Sequence, residues 1–270
     1  MTPKTERPMD DLKALTLSVC EVARKAGHYI KEERKGFRME NVERKHAHDY
    51  VSYVDKASER LIVDALRLLL PEAGFITEEG SATYDDEQYC WVVDPLDGTT
   101  NFIHGFAPYC VSIALCRGQN ILLGVVYEIT TDECFFAWQG GGAYCNEQQL
   151  HVSKQKAEDA LLCLQLPYNS DAYKPLILQL IHHFYGRAAS IRMIGSAAMA
   201  LCYVAAARLD AYAEKYIGQW DFMAGAMIVK EAGGHVTDYQ GNAHFTQGNS
   251  IIASNGIIHE ELLSILRNFA

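Results

Sequence analysis

The sequence predicts a layered α/β sandwich, helix–sheet–helix–sheet–helix, with two sheets among three helix layers. Three observations carry that expectation. Two long amphipathic helical patterns open the chain, a run of short apolar segments separated by turn residues follows, and the second half alternates strand-like and helix-like segments. The chain is 270 residues long, is 49% hydrophobic and 21% charged, and offers enough apolar surface to offset the entropy of ordering.

Residues 10–35 place Leu12, Leu15, Val19, Val22, Ala26 and Ile30 at three- and four-residue steps, with Asp10 or Asp11 as a cap and Gly36 as a stop. A second helix is expected over 55–70, ended by Pro71. The period then changes. The segments FITEE and YCWVVD end in acids, the second being expected to stop at Asp94. CVSIALC, ILLGVVYEI and CFFAWQ follow as an antiparallel meander, and Gly140–Gly142 turn into a further short strand. In the second half, strands are expected at ALLCLQL, SIRMI, LDAYAEKY and SIIASN. Helices are expected over 172–185, 196–207, 220–232 and 257–269. The whole reads as one unit, with a soft internal boundary near 153–160 between an N-terminal α+β half and a C-terminal α/β half.

Charge and cysteine usage exclude several classes. Lys plus Arg is 24 and Asp plus Glu is 34, a net charge of −10 that repels phosphate backbones, so direct nucleic-acid binding is not expected. No apolar run approaches a membrane span, and no export signal is visible at the start, so a cytoplasmic setting is expected. The eight cysteines are scattered without a C-x-x-C pair and are expected to be reduced and buried. The ten histidines are dispersed and read as surface or packing residues; His104 alone lies close to the segment described next.

Chemistry gathers at WVVDPLDGTTNF, residues 91–102. Asp94 and Asp97 bring two carboxylates to a strand end, and Gly98-Thr99-Thr100-Asn101 supplies a flexible backbone and hydroxyls that can open a helix. A helix N-terminus suits a phosphate, but the acids beside it would repel one unless a cation sat between them. Carboxylates and hydroxyls without paired His or Cys fit a hard, oxygen-seeking ion such as Mg²⁺. Glu78 and Glu79 end the preceding strand, and Asp221 opens a helix in GQWDFMAGA.

These segments together resemble the inositol monophosphatase family, within the lithium-sensitive, metal-dependent phosphatases. W-x-x-D-P-[IL]-D-G-T-x-N-[FY] is met by Trp91 to Phe102. W-D-x-x-A-G followed by A-G-G is met by Trp220, Asp221, Ala224, Gly225 and Ala232 to Gly234. D-x-V-[ST]-x-x-D at Asp49 to Asp55 and G-[ST]-A-A at Gly195 to Ala198 agree. The resemblance runs from about residue 12 to the C-terminus, with Leu96 where Ile is common and Thr77 where Gly is common.

The resemblance implies hydrolysis of a phosphate monoester with two to three Mg²⁺ ions. Glu78, Asp94 and the Leu96 carbonyl stand for ligands of one ion, and Asp94, Asp97 and Asp221 for those of a second. Asp55 and Glu78 stand for an outer, weaker position. Thr99 with Glu78 stands for the pair that activates water, and the N–H groups of Gly98 and Thr99 for a phosphate cradle. Leu96, Asp97 and Asp221 would also face the substrate. Glu214 is similar to the acid that grips polyol hydroxyls, Gly195, Ser196 and Ala197 to the loop lining that alcohol, and a further contact is implied near Asn169 and Ser170.

The implied substrate is a phosphorylated polyol, myo-inositol 1-phosphate first, and the implied assembly a homodimer. Fructose 1,6-bisphosphate, a nucleotide 3′-phosphate and histidinol phosphate are the alternative substrates. A second role beside transcription or ribosome-assembly machinery is the non-enzymatic alternative.

Overall fold

The computed structural model describes residues 9–38, 40, 42–46, 49–83, 88–165, 170–243 and 249–269. Helix α1 spans Met9–Gly36, so Asp10 and Asp11 lie inside it rather than capping it. A hairpin of β1 (Val42–His46) and β2 (Asp49–Ser52) follows, which the sequence pattern does not announce. Helix α2 spans Tyr53–Leu69 and starts two residues before the expected position. The Ser52 hydroxyl accepts the Val54 N–H and caps it, while Asp55 reaches back to the Ser52 N–H.

The first sheet has seven strands in sequence order: β3 (Ala73–Thr77), β4 (Tyr89–Asp97), β5 (Cys110–Arg117), β6 (Asn120–Glu128), β7 (Glu133–Trp138), β8 (Gly142–Cys145) and β9 (Gln148–Gln149). β3 and β4 run parallel and all later pairs are antiparallel, which gives the expected meander. β4 does not stop at Asp94. It continues through Pro95 to Asp97, with its register against β5 shifting between the two aspartates. The short helix α3 (Thr99–His104) follows.

The second sheet is ordered β11-β10-β12-β14-β13, from β10 (Leu161–Leu164), β11 (Ser190–Arg192), β12 (Ala211–Lys215), β13 (His235–Thr237) and β14 (Ser250–Ser254). β11, β10 and β12 are mutually parallel, whereas β14 runs antiparallel to both of its neighbours. The accompanying helices are α4 (Ser170–Phe184), α5 (Ala197–Ala205), α6 (Gln219–Glu231) and α7 (His259–Leu266). The last is shorter than expected and passes into a 3₁₀ turn at Arg267–Phe269.

Three apolar clusters define the layers. α1 and α2 cover one face of the large sheet through Val19, Ile30, Ile62 and Leu66 against Trp91, Val93 and Ile113. α5 and α6 fill the space between the sheets, touching Val92, Ala114 and Val126 on one side and Tyr212, Ile251 and Ala253 on the other. α4 and α7 cover the outer face of the small sheet through Leu176, Leu180 and Leu262 against Leu162, Ala211 and Ile252. This is the expected αβαβα sandwich. The middle layer is thin because its residues are small. A Cβ on Gly225 would lie 2.5 Å from the Leu201 Cβ, and one on Gly124 would lie 2.4 Å from the Ala224 carbonyl oxygen. All eight cysteines are free, and all but Cys145 are buried. No described helix is long and apolar enough to cross a membrane.

His259, at the start of α7, is buried between Ser254 Oγ (2.9 Å from Nδ1) and Thr237 Oγ1 (2.9 Å from Nε2). Burial first, and the neighbouring His235 second, lower its pKa from 6.5 to about 4. The unfolded chain therefore takes up this proton before the folded chain does. The resulting stability is present above pH 6.5 and is lost as pH falls toward 4. In urea titrations at pH 7.5 and 5, wild type should lose a portion of stability on acidification that His259→Gln does not. The gap between the two proteins should narrow at pH 5, and an unchanged gap would contradict the assignment.

Candidate active site

Four elements deliver acids to one cavity of about 570 Å³. Glu78 follows β3, Asp94 and Asp97 end β4, Glu214 lies on β12, and Asp221 lies in the first turn of α6. One carboxylate oxygen each from Asp94, Asp97 and Asp221 lie within 4.8 Å of one another. The register shift in β4 makes this possible, because the extra backbone length around Pro95 turns both aspartates toward the same end of the sheet.

Asp94, Asp97, Asp221 and Glu214 are each held by a distinct set of donors. Asp94 Oδ1 accepts the Leu96 N–H at 2.9 Å. Asp97 Oδ2 accepts the Ser196 hydroxyl at 2.5 Å and the Ala198 N–H at 2.8 Å. Asp221 Oδ2 accepts the Gly218 N–H at 2.7 Å, so the residue also caps α6. Glu214 Oε2 accepts the Tyr212 hydroxyl at 2.5 Å. Glu59, on α2, accepts the Glu79 N–H at 2.7 Å and the Ser81 N–H at 2.8 Å, which fixes the loop carrying Glu78.

The electrostatics are those of crowded like charges. Burial and then Glu78, Asp97 and Asp221 push the Asp94 pKa well up. Burial and then Asp97, Glu78 and Glu214 do the same to Asp221. Burial raises Asp97, against the opposing Ser196 and Ala198 hydrogen bonds. Burial raises Glu214 to about 7 and also raises Asp55. No Lys, Arg or His lines the cavity among the described residues. Two unit charges about 4.8 Å apart repel by about 3.5 kcal/mol at an effective dielectric of about 20. A cluster of oxygen donors with no protein cation fits a divalent, oxygen-seeking ion, so the residues present suit Mg²⁺.

The remaining predicted residues fall at or beside this cavity. The Leu96 carbonyl accepts the Thr99 hydroxyl at 3.0 Å, and the same hydroxyl lies 3.1 Å from Asp55 Oδ1. Thr99 is thus paired with Asp55, where the sequence resemblance pairs it with Glu78. Gly98, Gly195 and Ala197 line the cavity. Gly98 has φ 88°, and a Cβ there would meet the Pro108 and Gly195 carbonyl oxygens at 3.1 and 3.3 Å. Ser196 is buried, and its hydroxyl holds Asp97 while accepting the Met199 N–H as the cap of α5. His104 is exposed and outside the cavity lining. Asn169 and the Ser170 side chain lie outside the described residues, as does the side chain of Asp49.

Sequence reasoning passes over Glu59 and Tyr216, and reads Asn101 only within the Gly98–Asn101 turn and the motif that contains it. Glu59 follows Asp55 by one helical turn and so shares its face, a signal present in the sequence. Asn101 donates from Nδ2 to the Pro108 and Ile194 carbonyls, both at 2.8 Å, and ties α3 to the Gly195 loop. Tyr216 lines the cavity at φ 63°, a left-handed conformation that costs a non-glycine residue of order 1–3 kcal/mol. No sequence signal marks it.

Buried carboxylates converging on an open cleft at the strand ends of an αβαβα sandwich define the class, a metal-dependent phosphatase. The model of the inositol monophosphatase family matches residues 11–269. An inositol-1-monophosphatase of Mesorhizobium japonicum is 35% identical over 256 residues, covering 94% of this chain and 96% of the relative. A protein named Nus factor SuhB from Haemophilus influenzae is 40% identical over 248 residues, covering 90% and 92%. The crystal structure of extragenic suppressor protein SuhB from Bartonella henselae superimposes with a TM-score of 0.88 at 35% identity, over 94% of this chain and 98% of that one. The chain belongs to the inositol monophosphatase family.

Divalent metal should therefore stabilise the fold by relieving repulsion. A ligand at 100 times its Kd contributes about 2.7 kcal/mol, so Mg²⁺ should raise the melting temperature measured in EDTA. Asp94→Asn removes one crowded charge. It should melt in EDTA no lower than wild type and respond far less to Mg²⁺. Thermal unfolding with and without Mg²⁺ checks both expectations, and an equal Mg²⁺ response in the variant would contradict the cluster's role.

Proposed function

We propose that this cavity hydrolyses a phosphorylated polyol, myo-inositol 1-phosphate first, with two to three Mg²⁺ ions. The observation that carries the reading is the Asp94–Asp97–Asp221 cluster in a cavity whose described lining holds no basic residue. Glu78, Asp94, Leu96 through its carbonyl, Asp97 and Asp221 would hold the ions, with Asp55 at an outer position. Bound there, the ions supply charge neutralisation, an activated water and a counter-charge for the departing oxygen.

The protein's own groups do the placing. Thr99, held by Asp55, orients the attacking water, and Glu78 accepts its proton. The Gly98 and Thr99 N–H groups receive phosphate oxygens. Water oxygen attacks phosphorus, the bond from phosphorus to the alcohol oxygen breaks, and the departing oxygen takes up the proton that the water gave to Glu78, so one water becomes part of inorganic phosphate and free alcohol. Glu214 grips alcohol hydroxyls beside the Gly195–Ala197 loop. Inhibition by lithium, a homodimeric assembly and a cytoplasmic setting belong to the same reading.

A second role, with the transcription machinery, is favoured by the name Nus factor that the Haemophilus relative carries. Co-purification of the full-length protein with RNA polymerase tests it, and absence of polymerase in the purified material would remove that reading.

Asp221→Asn should lower Mg²⁺-dependent phosphate release from myo-inositol 1-phosphate by roughly 10²-fold or more. Steady-state kinetics on a folded variant decides this, and undiminished turnover would sink the assignment. Glu214→Ala should raise KM for myo-inositol 1-phosphate more than for glycerol phosphate, because the cyclic polyol offers more hydroxyls to that acid. Equal changes in the two KM values would move the hydroxyl contact elsewhere.

A further inference from the structure

The cavity that holds five acids also carries an apolar part. Phe106, after α3, is 63% exposed; Met193, after β11, is 48% exposed; and Tyr216, after β12, is 43% exposed. Ile194 and Trp220 line the same space. Large apolar side chains left open inside a concave site are surfaces that a ligand covers. Some of the polar atoms among them are already engaged. Gln165 Oε1 accepts the Ile194 and Gly195 N–H groups at 3.2 and 3.3 Å, and Glu214 accepts the Tyr212 hydroxyl. Hydroxyls of the alcohol still meet Glu214, and a flat apolar ring on the same alcohol meets Phe106, Met193 and Tyr216.

Tyr216 is the informative member. Its φ of 63° belongs to the region that glycine occupies freely and a bulky residue rarely enters. Such a residue persists where its surroundings over-determine it, and such positions gather at ligand clamps. Here the Tyr216 N–H donates to the Asn249 carbonyl at 2.6 Å, and the Asn249 N–H donates to the Ile217 carbonyl at 3.0 Å. The Tyr216 ring meets the buried Tyr173 ring edge-on, 6.4 Å between centroids, and Lys215 Nζ lies 5.6 Å from its centre. The Tyr216 backbone is therefore held, and its ring rests against Tyr173, before any ligand arrives, which lowers the ordering cost of binding.

We propose that Tyr216, with Met193 and Phe106, forms a platform that receives a flat aromatic group on the alcohol side of a phosphate monoester. The platform makes Tyr216 a specificity-determining residue that weights selection toward phosphate monoesters whose alcohol carries an aromatic ring. The inference rests on the phosphatase reading of the same cavity.

The test compares kcat/KM for two esters whose alcohol carries an aromatic ring (the aromatic esters), phenyl phosphate and a nucleoside 3′-monophosphate, with kcat/KM for glycerol phosphate. Tyr216→Gly suits the existing backbone, and Met193→Ala provides a second variant. In Tyr216→Gly, the aromatic-to-glycerol ratio for at least one aromatic ester should fall five-fold or more, with a smaller fall in the same direction in Met193→Ala. A ratio that falls less than five-fold for both aromatic esters in Tyr216→Gly overturns the platform.

If wild type released phosphate from none of these esters with Mg²⁺, the hydrolase reading would fail instead. The platform would then be judged by calorimetric titration of phenylphosphonate against methylphosphonate. Wild type should bind the phenyl compound at least five-fold more tightly, and Tyr216→Gly should lose that preference. Equal binding of the two phosphonates by wild type overturns it.

Discussion

The structure is organised around one electrostatic constraint: several carboxylates share one open cleft without a basic side chain among its described lining. Left to themselves, such groups repel one another or take up protons, and the raised pKa values of Asp94, Asp97, Asp221 and Glu214 express that tendency. The fold keeps them together by giving each its own donors. Backbone N–H groups from Leu96, Ala198 and Gly218, together with the Ser196 hydroxyl, hold the three aspartates in place. What the cluster then lacks is positive charge, which a divalent ion provides.

The scaffold answers that constraint at every layer. The acids come from a parallel strand pair, from a strand of the second sheet and from the start of a central helix, so no single element can move without disturbing the others. Glu59 pins the Glu78 loop from α2, and Asn101 ties α3 to the Gly195 loop across the two halves of the cleft. Small residues in α5 and α6 let the two sheets approach, which brings Asp221 and the Ser196 cap within reach of the end of β4.

The same cleft presents two chemistries side by side. Its acids suit metal and phosphate, while its exposed Phe106, Met193 and Tyr216 suit an apolar surface. Phosphate placement is therefore separable from recognition of the alcohol. Family membership speaks to the first of these. The particular residues that follow Glu214 bear on the second.

The sequence by itself determined the layered fold and the acids of the cluster. Apolar periodicity is a local property, visible in α1, in the meander and in the alternation of the second half, and Asp94 to Thr99 form one contiguous segment. It did not yield the β1–β2 hairpin, the continuation of β4 through Pro95, or the early start of α2, because these depend on pairing and capping rather than on periodicity. Only the tertiary structure decided that Thr99 faces Asp55, that Ser196 spends its hydroxyl on Asp97, and that Tyr216 enters the cleft in a left-handed conformation. Those outcomes are set by contacts between residues far apart in the chain.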